Sequence, residues 1–154
     1  MTEASIVHDS FTLERIYPNC REHVWSAWSM PAKKAKWFGD GDHSMDFRVG
    51  GAERVSSRNG MGEHVNETRY FEIVEGERIV MAYSMAMNGR IHSVSLATVV
   101  LADEGGGTRL TFTEQMCVIP PSDGIEGRRH GWGDLLAALQ RFLANDVPKA
   151  AAVA

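Results

Sequence analysis

The feature that most restricts how this chain can fold lies near its end. In "HGWGDLLAALQRFLAND" (residues 130–146), Trp132, Leu135, Leu136, Leu139, Phe142 and Leu143 fall at i, i+3, i+4, i+7, i+10 and i+11. That spacing puts one broad apolar face on an α-helix. Almost everything before it reads as strand. A single long amphipathic helix must bury its stripe, and the partner on offer is the face of a sheet.

The rest of the chain supplies that sheet. "SFTLERIYP" (10–18) alternates Phe11, Leu13 and Tyr17, which predicts a first strand stopped by Pro18 and Asn19. Asn19, with Glu22 three residues on, has the spacing of a capping box. A short helix follows, carrying Val24, Trp25 and Trp28 on one side, and Pro31 suits the first turn of a second. Beyond Gly39 and Gly41, Gly50–Gly51, "NGMG" (59–62), Glu75–Gly76, Asn88–Gly89 and Asp103–Gly107 punctuate extended runs. Connections of a few residues imply antiparallel neighbours. Ile79, Met81, Tyr83, Met85 and Met87 share one face of their strand, and Leu110, Phe112, Glu114 and Met116 share one face of another. The predicted order is a strand, two short helices, about six strands and a long helix from near Gly127. This describes an α+β domain over residues 1–146, a curved antiparallel sheet wrapped around a C-terminal helix, with residues 147–154 as a flexible tail.

Composition narrows the function classes. With 44% hydrophobic and 23% charged residues, the chain has the make-up of a globular protein. A net charge of −4 with no basic stripe gives nucleic-acid binding no electrostatic basis. Neither a signal peptide nor an apolar run of about 18 residues is present, and two cysteines make no disulfide framework. A cytoplasmic location is the expectation. The six histidines stand in no metal-ligand spacing, and no nucleophile elbow or phosphate-binding loop occurs. No metal or cofactor is therefore expected.

Several stretches carry a family resemblance. "CREHVWSAWSMPAKKAKWF", "MDFRVGGAERV", "YFEIVEGERIVMAY", "GGGTRLTFTEQ" and "HGWGDLLAAL" stand in series over roughly residues 10–145. They resemble the motifs of the family named after the activator of heat shock protein 90 ATPase, within the START/Bet v 1-like superfamily. The resemblance implies the helix-grip fold and a hydrophobic-ligand cavity between sheet and helix. The matching residues are turn glycines and packing aromatics, so they specify a scaffold and no reaction.

The candidate site follows from these two lines of reading. Eight methionines and a large aromatic set read either as core filler or as an adaptable pocket lining. For an amphipathic or hydrophobic small molecule, the candidate contacts are Trp25, Trp37, Met81, Tyr83, Met85, Phe112, Met116, Trp132 and Leu136, with Glu114 and His92 as polar anchors. Glu114 shares a face with Phe112 and Met116 and so points inward, where a carboxylate needs a partner. That partner is either Arg128 or Arg129 in a salt bridge, or else Glu114 is a general base beside Tyr83 or His92. The loop "VIPPSDGIEGRRHG" borders the expected mouth, either as a plain connection or as a lid with Ile119 and Ile125 as contacts and Gly124 and Gly127 as hinges. An enzyme of cyclase or hydrolase type and a chaperone-regulating interaction module are the alternatives. Val94, Leu96 and Val100 form an outward apolar set that a homodimer partner would cover.

Overall fold

A computed structural model describes residues 5–146 of the chain. The tail read at 147–154 lies outside the described residues. The elements run β1 (Val7–Tyr17), α1 (Arg21–Ser29), α2 (Pro31–Lys34), β2 (Asp42–Met45), β3 (Ala52–Asn59), β4 (Gly62–Val74), β5 (Arg78–Met87), β6 (Arg90–Glu104), β7 (Gly107–Val118) and α3 (Gly124–Asn145). The strands make one antiparallel sheet in the order β1-β7-β6-β5-β4-β3-β2. From β2 to β7 it is a meander, and β1 closes against β7 by pairing Val7–Tyr17 with Val118–Thr108. This is the helix-grip α+β architecture.

Turn chemistry explains the meander. Asn88 (φ 51°) with Gly89 (φ 80°), and Gly105 (φ 54°) with Gly106 (φ 85°), put two left-handed residues in each two-residue hairpin loop. Those are the dihedrals whose twist matches that of the flanking strands. Alternation then sends one set of side chains inward: Leu110, Phe112 and Met116 from β7, Ala97, Val99 and Leu101 from β6, and Ile79, Met81 and Tyr83 from β5 are buried. The opposite set on β6 stays out, with Val94, Leu96 and Val100 all more than 40% exposed.

α3 lies in the grip of this sheet. Its buried residues are Arg128, Trp132, Leu136, Leu139 and Leu143, and the predicted stripe members Leu135 and Phe142 are half-buried at its margins. The helix begins at Gly124, three residues before the expected start near Gly127. Arg128 falls on the buried stripe, four residues before Trp132.

The capping-box reading of Asn19 is corrected. Cys20 is the N-cap of α1, with no side-chain cap hydrogen bond. Asn19 Nδ2 donates instead to the Leu143 carbonyl (3.2 Å), one of the last-turn acceptors of α3, and to His23 Nδ1 (3.2 Å). A carbonyl left over at a helix end competes for the same amide, and here it wins. His23 and Lys33 complete the tie by reaching Asp146 at 3.0 and 2.8 Å.

Candidate functional site

The C-terminal half of α3 is packed solid on the sheet, and the N-terminal half is not. Leu136, Leu139 and Leu143 are at most 2% exposed. One turn earlier, Trp132 stacks on Phe112 with ring centroids 3.9 Å apart, parallel to Trp28 at 6.2 Å. On the other side of Trp132 a cavity of about 610 Å³ opens. From α3 it is walled by Gly127, Arg128, Gly131, Trp132 and Leu135. β5 contributes Tyr83, Met85 and Met87, and β6 contributes His92. Val55, His64, Asn66 and Met61 form the far wall, with Phe38, Gly39 and the Pro121–Asp123 loop at the margins.

The α3 sequence explains why the space stays open. Gly127 and Gly131 stand one turn apart and both line the cavity; beside Gly127 the Asp123 side chain takes the place a Cβ would need, whereas Gly131 leaves its side open. A Cβ placed at Gly131 would meet no atom within 4 Å.

A buried polar network borders the cavity. Glu114 is fully buried and accepts from Tyr83 OH at Oε1, and from Ser95 Oγ (2.6 Å) and Arg128 Nη1 (2.6 Å) at Oε2. Arg128 Nη1 also donates to the Tyr83 oxygen (3.0 Å), as does Trp132 Nε1 (3.0 Å), and Arg128 Nη2 donates to Ser93 Oγ. A charged pair in this setting needs every remaining donor and acceptor satisfied, and Glu114 has three donors. Burial and then the Glu114 carboxylate push the Tyr83 phenol well above its ordinary pKa, so it stays a donor. Burial works against the Arg128 charge, but Tyr83 and Glu114 outweigh it and hold its pKa above the ordinary value. Arg129, the other partner considered for Glu114, lies over the Phe11 ring instead.

His92 enters the wall through a β-bulge. Met85 pairs with Ser93 and Ala86 with Ile91, which leaves His92 as the extra residue on β6. Its Nδ1 is buried with no hydrogen-bond partner among the described residues. A proton there would be an orphaned donor, costing about 1–3 kcal/mol. Burial, followed by the positive charge of Arg128, lowers the His92 pKa; Asp123 opposes this, and Arg90 and His64 add to it.

Of the residues singled out from sequence, Tyr83, Met85, His92 and Trp132 line the cavity. Met81, Phe112, Met116 and Leu136 lie in the closed interior, at most 3% exposed. Trp25 packs edge-on to Phe47, and Trp37 packs against Trp28 while donating to the Ala27 carbonyl (2.9 Å). Glu114 faces inward but lies behind Tyr83 and Arg128, off the cavity wall. In the loop, Pro121, Ser122 and Asp123 reach the cavity, whereas Ile119 and Ile125 are not among its lining. Sequence reasoning missed Phe38, His64, Asn66 and Gly131, and took Gly127 only as a hinge of the bordering loop and not with Gly131 as a pair on the wall. Two glycines four apart inside a helical pattern were the available signal, since neither is needed for a turn.

A second buried charge cluster lies away from the cavity wall. Glu53 accepts from Lys34 Nζ (2.7 Å) and Tyr70 OH (2.6 Å) at Oε1 and meets His43 Nε2 (2.6 Å) at Oε2. The Lys34 ammonium sits 4.3 Å from the Phe38 ring centroid. Burial alone would raise the Glu53 pKa; Lys34, His43 and Tyr70 overcome it and bring the group down to about 2. Among the described residues no group of three or more His, Cys, Asp or Glu is arranged to hold a metal ion, and no helix is long and apolar enough to cross a membrane.

Comparison with known proteins bears on this geometry. The family model for activator of Hsp90 ATPase homolog 1-like proteins matches residues 20–144. The chain belongs to that family. Among solved structures, it is similar to an uncharacterised protein from Rhizobium leguminosarum, at 33% identity over 92% of this chain and 98% of that one, with a TM-score of 0.88. It is also similar to the Mll3558 protein from Rhizobium loti, at 40% identity over 90% and 99% of the two chains, TM-score 0.84. DynU16, a protein in the dynemicin biosynthetic locus, shares the fold at 22% identity, covering 91% of this chain and 49% of its own, TM-score 0.71. No curated protein matches the chain.

Proposed function

We propose that this member of the activator-homologue family binds a hydrophobic or amphipathic small molecule beside Trp132, between the sheet and the N-terminal half of α3. The carrying observation is the 610 Å³ cavity, whose wall is mostly apolar surface, with Met61, Met85, Met87, Trp132, Phe38, Leu135 and Val55 in its lining, and which is bordered by a hydrogen-bonded polar network. A volume of this size, apolar with a few placed polar groups, is typical of small-molecule sites. The thioethers of Met61, Met85 and Met87 adapt to different ligand shapes.

The enzyme reading, with Glu114 as a base, has less support. Three donors already occupy the carboxylate, and Tyr83 and Arg128 stand between it and the cavity. Chaperone regulation, the activity in the family's name, gains no specific support from these residues.

Thermal unfolding in the presence of a lipid and aromatic library tests the proposal. A ligand at 100 times its Kd stabilises by about 2.7 kcal/mol, which raises the Tm by roughly 5–10 °C in a chain of this size. No shift across the library removes the proposal.

A further inference from the structure

We propose that the ligand carries a neutral hydrogen-bond acceptor, a ketone, aldehyde or amide carbonyl, received by the Nε2–H of His92. This deepens the cavity reading above and rests on it. Three observations carry it. The β-bulge leaves His92 as the extra, unpaired residue of β6, and His92 lines the cavity. Nδ1 is buried without a partner among the described residues, so the neutral ring keeps its proton on Nε2. Nε2 is not among the buried unpartnered atoms, so it is through this N–H that the cavity-lining ring reaches open space, where it can donate to an acceptor on whatever fills the cavity.

The surrounding charges select a neutral acceptor over a carboxylate. The Arg128 guanidinium is neutralised by Glu114 at 2.6 Å. Asp123, on the loop beside His92, carries a negative charge and offsets Arg90, which is engaged by the Pro120 and Pro121 carbonyls. His64, across the cavity, has its Nε2 engaged by Asn59 Oδ1 (3.1 Å). Among the described residues that line the cavity, Arg128 is the one Arg or Lys, and its charge is already met by Glu114. The lowered His92 pKa agrees with a ring that stays neutral at pH 7.

Three shape-matched probes test this: 2-acetylnaphthalene (carbonyl), 2-ethylnaphthalene (no acceptor) and 2-naphthoate (anion). Affinities are measured by calorimetry on the full chain and its variants at pH 7.5. His92→Phe keeps an aromatic ring but removes the donor. It should weaken 2-acetylnaphthalene roughly 3- to 10-fold, the size of one net hydrogen bond, and leave 2-ethylnaphthalene within about twofold. His92→Gln, whose amide N–H reaches the Nε2 position, should restore most of the ketone affinity. The carboxylate should bind no tighter than the ketone. Nitrogen NMR of the wild-type imidazole needs no variant: it should show Nε2 protonated, with a resonance that moves on adding ketone but not hydrocarbon. Unchanged ketone affinity in a folded His92→Phe, a proton on Nδ1, an unmoved Nε2 resonance, or tighter binding of the carboxylate each overturns the inference. If 2-ethylnaphthalene binds while the ketone shows no dependence on His92, this inference alone falls. If no probe binds the wild-type chain, the cavity reading falls and takes this one with it.

Discussion

Gly131 allows stability and binding to be driven in opposite directions. It is an interior residue of α3, it lines the cavity, and a Cβ there meets nothing within 4 Å. Glycine inside a helix is less favourable than alanine by about 0.8–1 kcal/mol, so Gly131→Ala should stabilise by nearly that amount, with no clash to offset it. At roughly 2–4 °C per kcal/mol the Tm rises by about 2–4 °C. Gly131→Leu keeps a good helix former and adds a side chain at a position that lines the cavity. It should be at least as stable as the alanine variant, while an apolar probe such as 2-ethylnaphthalene loses at least about tenfold in affinity, a penalty of roughly 1.4 kcal/mol for space now occupied. Calorimetry of unfolding and of binding on the same samples checks both. A variant that unfolds loses binding trivially; a variant that gains stability and loses binding does so because its site is filled. Wild-type affinity in Gly131→Leu places the ligand elsewhere and refutes the cavity reading. A destabilised Gly131→Ala refutes the open-space description of that helix face.

Two further perturbations test the buried charges. Glu114→Leu strands the Arg128 guanidinium beside the cavity and should cost about 3–5 kcal/mol in urea unfolding; adding Arg128→Met should recover most of that loss, and simple additivity of the two changes would show that the pair is not coupled. Glu53 has its pKa depressed to about 2 in the folded chain, against 4.5 for the free group. Its contribution of about 3 kcal/mol is therefore complete above pH 4.5 and lost as pH falls through 2. Lys34→Met should raise that pKa and move acid unfolding to higher pH, and an unmoved acid transition would remove Glu53 from the account.

The fold was legible because its determinants are local. The 3.6-residue stripe from Trp132 to Leu143, the alternation along β5 and β7, and hairpin pairs such as Asn88–Gly89 each need only near neighbours in sequence. The polar site was legible in part. Alternation on β7 turned Glu114 inward, and the cost of burying a carboxylate pointed to Arg128 or Arg129 as a partner. Choosing between them required the tertiary packing, since Arg128 and Arg129 stand four and three residues before Trp132 and both spacings suit one helix face; Arg128 reaches Glu114 and Arg129 lies over Phe11. Glu53, Lys34 and His43 come from separate elements and meet through tertiary packing, and the short periodicity around them gave no sign of it. Trp25, Trp37 and Phe112 looked like cavity contacts because aromatic identity does not distinguish a filled interior from its open edge.

That edge is set by the reach of polar groups. Apolar side chains let a helix settle onto a sheet until the gap closes, as Leu136, Leu139 and Leu143 have done. The Arg128–Glu114 bond and the two N–H donors on the Tyr83 oxygen instead fix how far the first turns of α3 stand from β5, β6 and β7. Replacing such a pair by apolar residues often leaves a protein as stable or more so, so stability alone gives little reason to keep one here. Its distinctive physical effect is geometric. With the helix held at that distance and Gly131 open to the gap, the space beside Trp132 stays open, bordered by a fully bonded polar network and by the ring of His92. An apolar double variant, Glu114→Leu with Arg128→Met, should therefore retain its fold while its α3 sinks toward the sheet. It should also lose affinity for 2-ethylnaphthalene, a probe that makes no hydrogen bond to either residue. Unchanged binding of that hydrocarbon would show that the network does not prop the cavity.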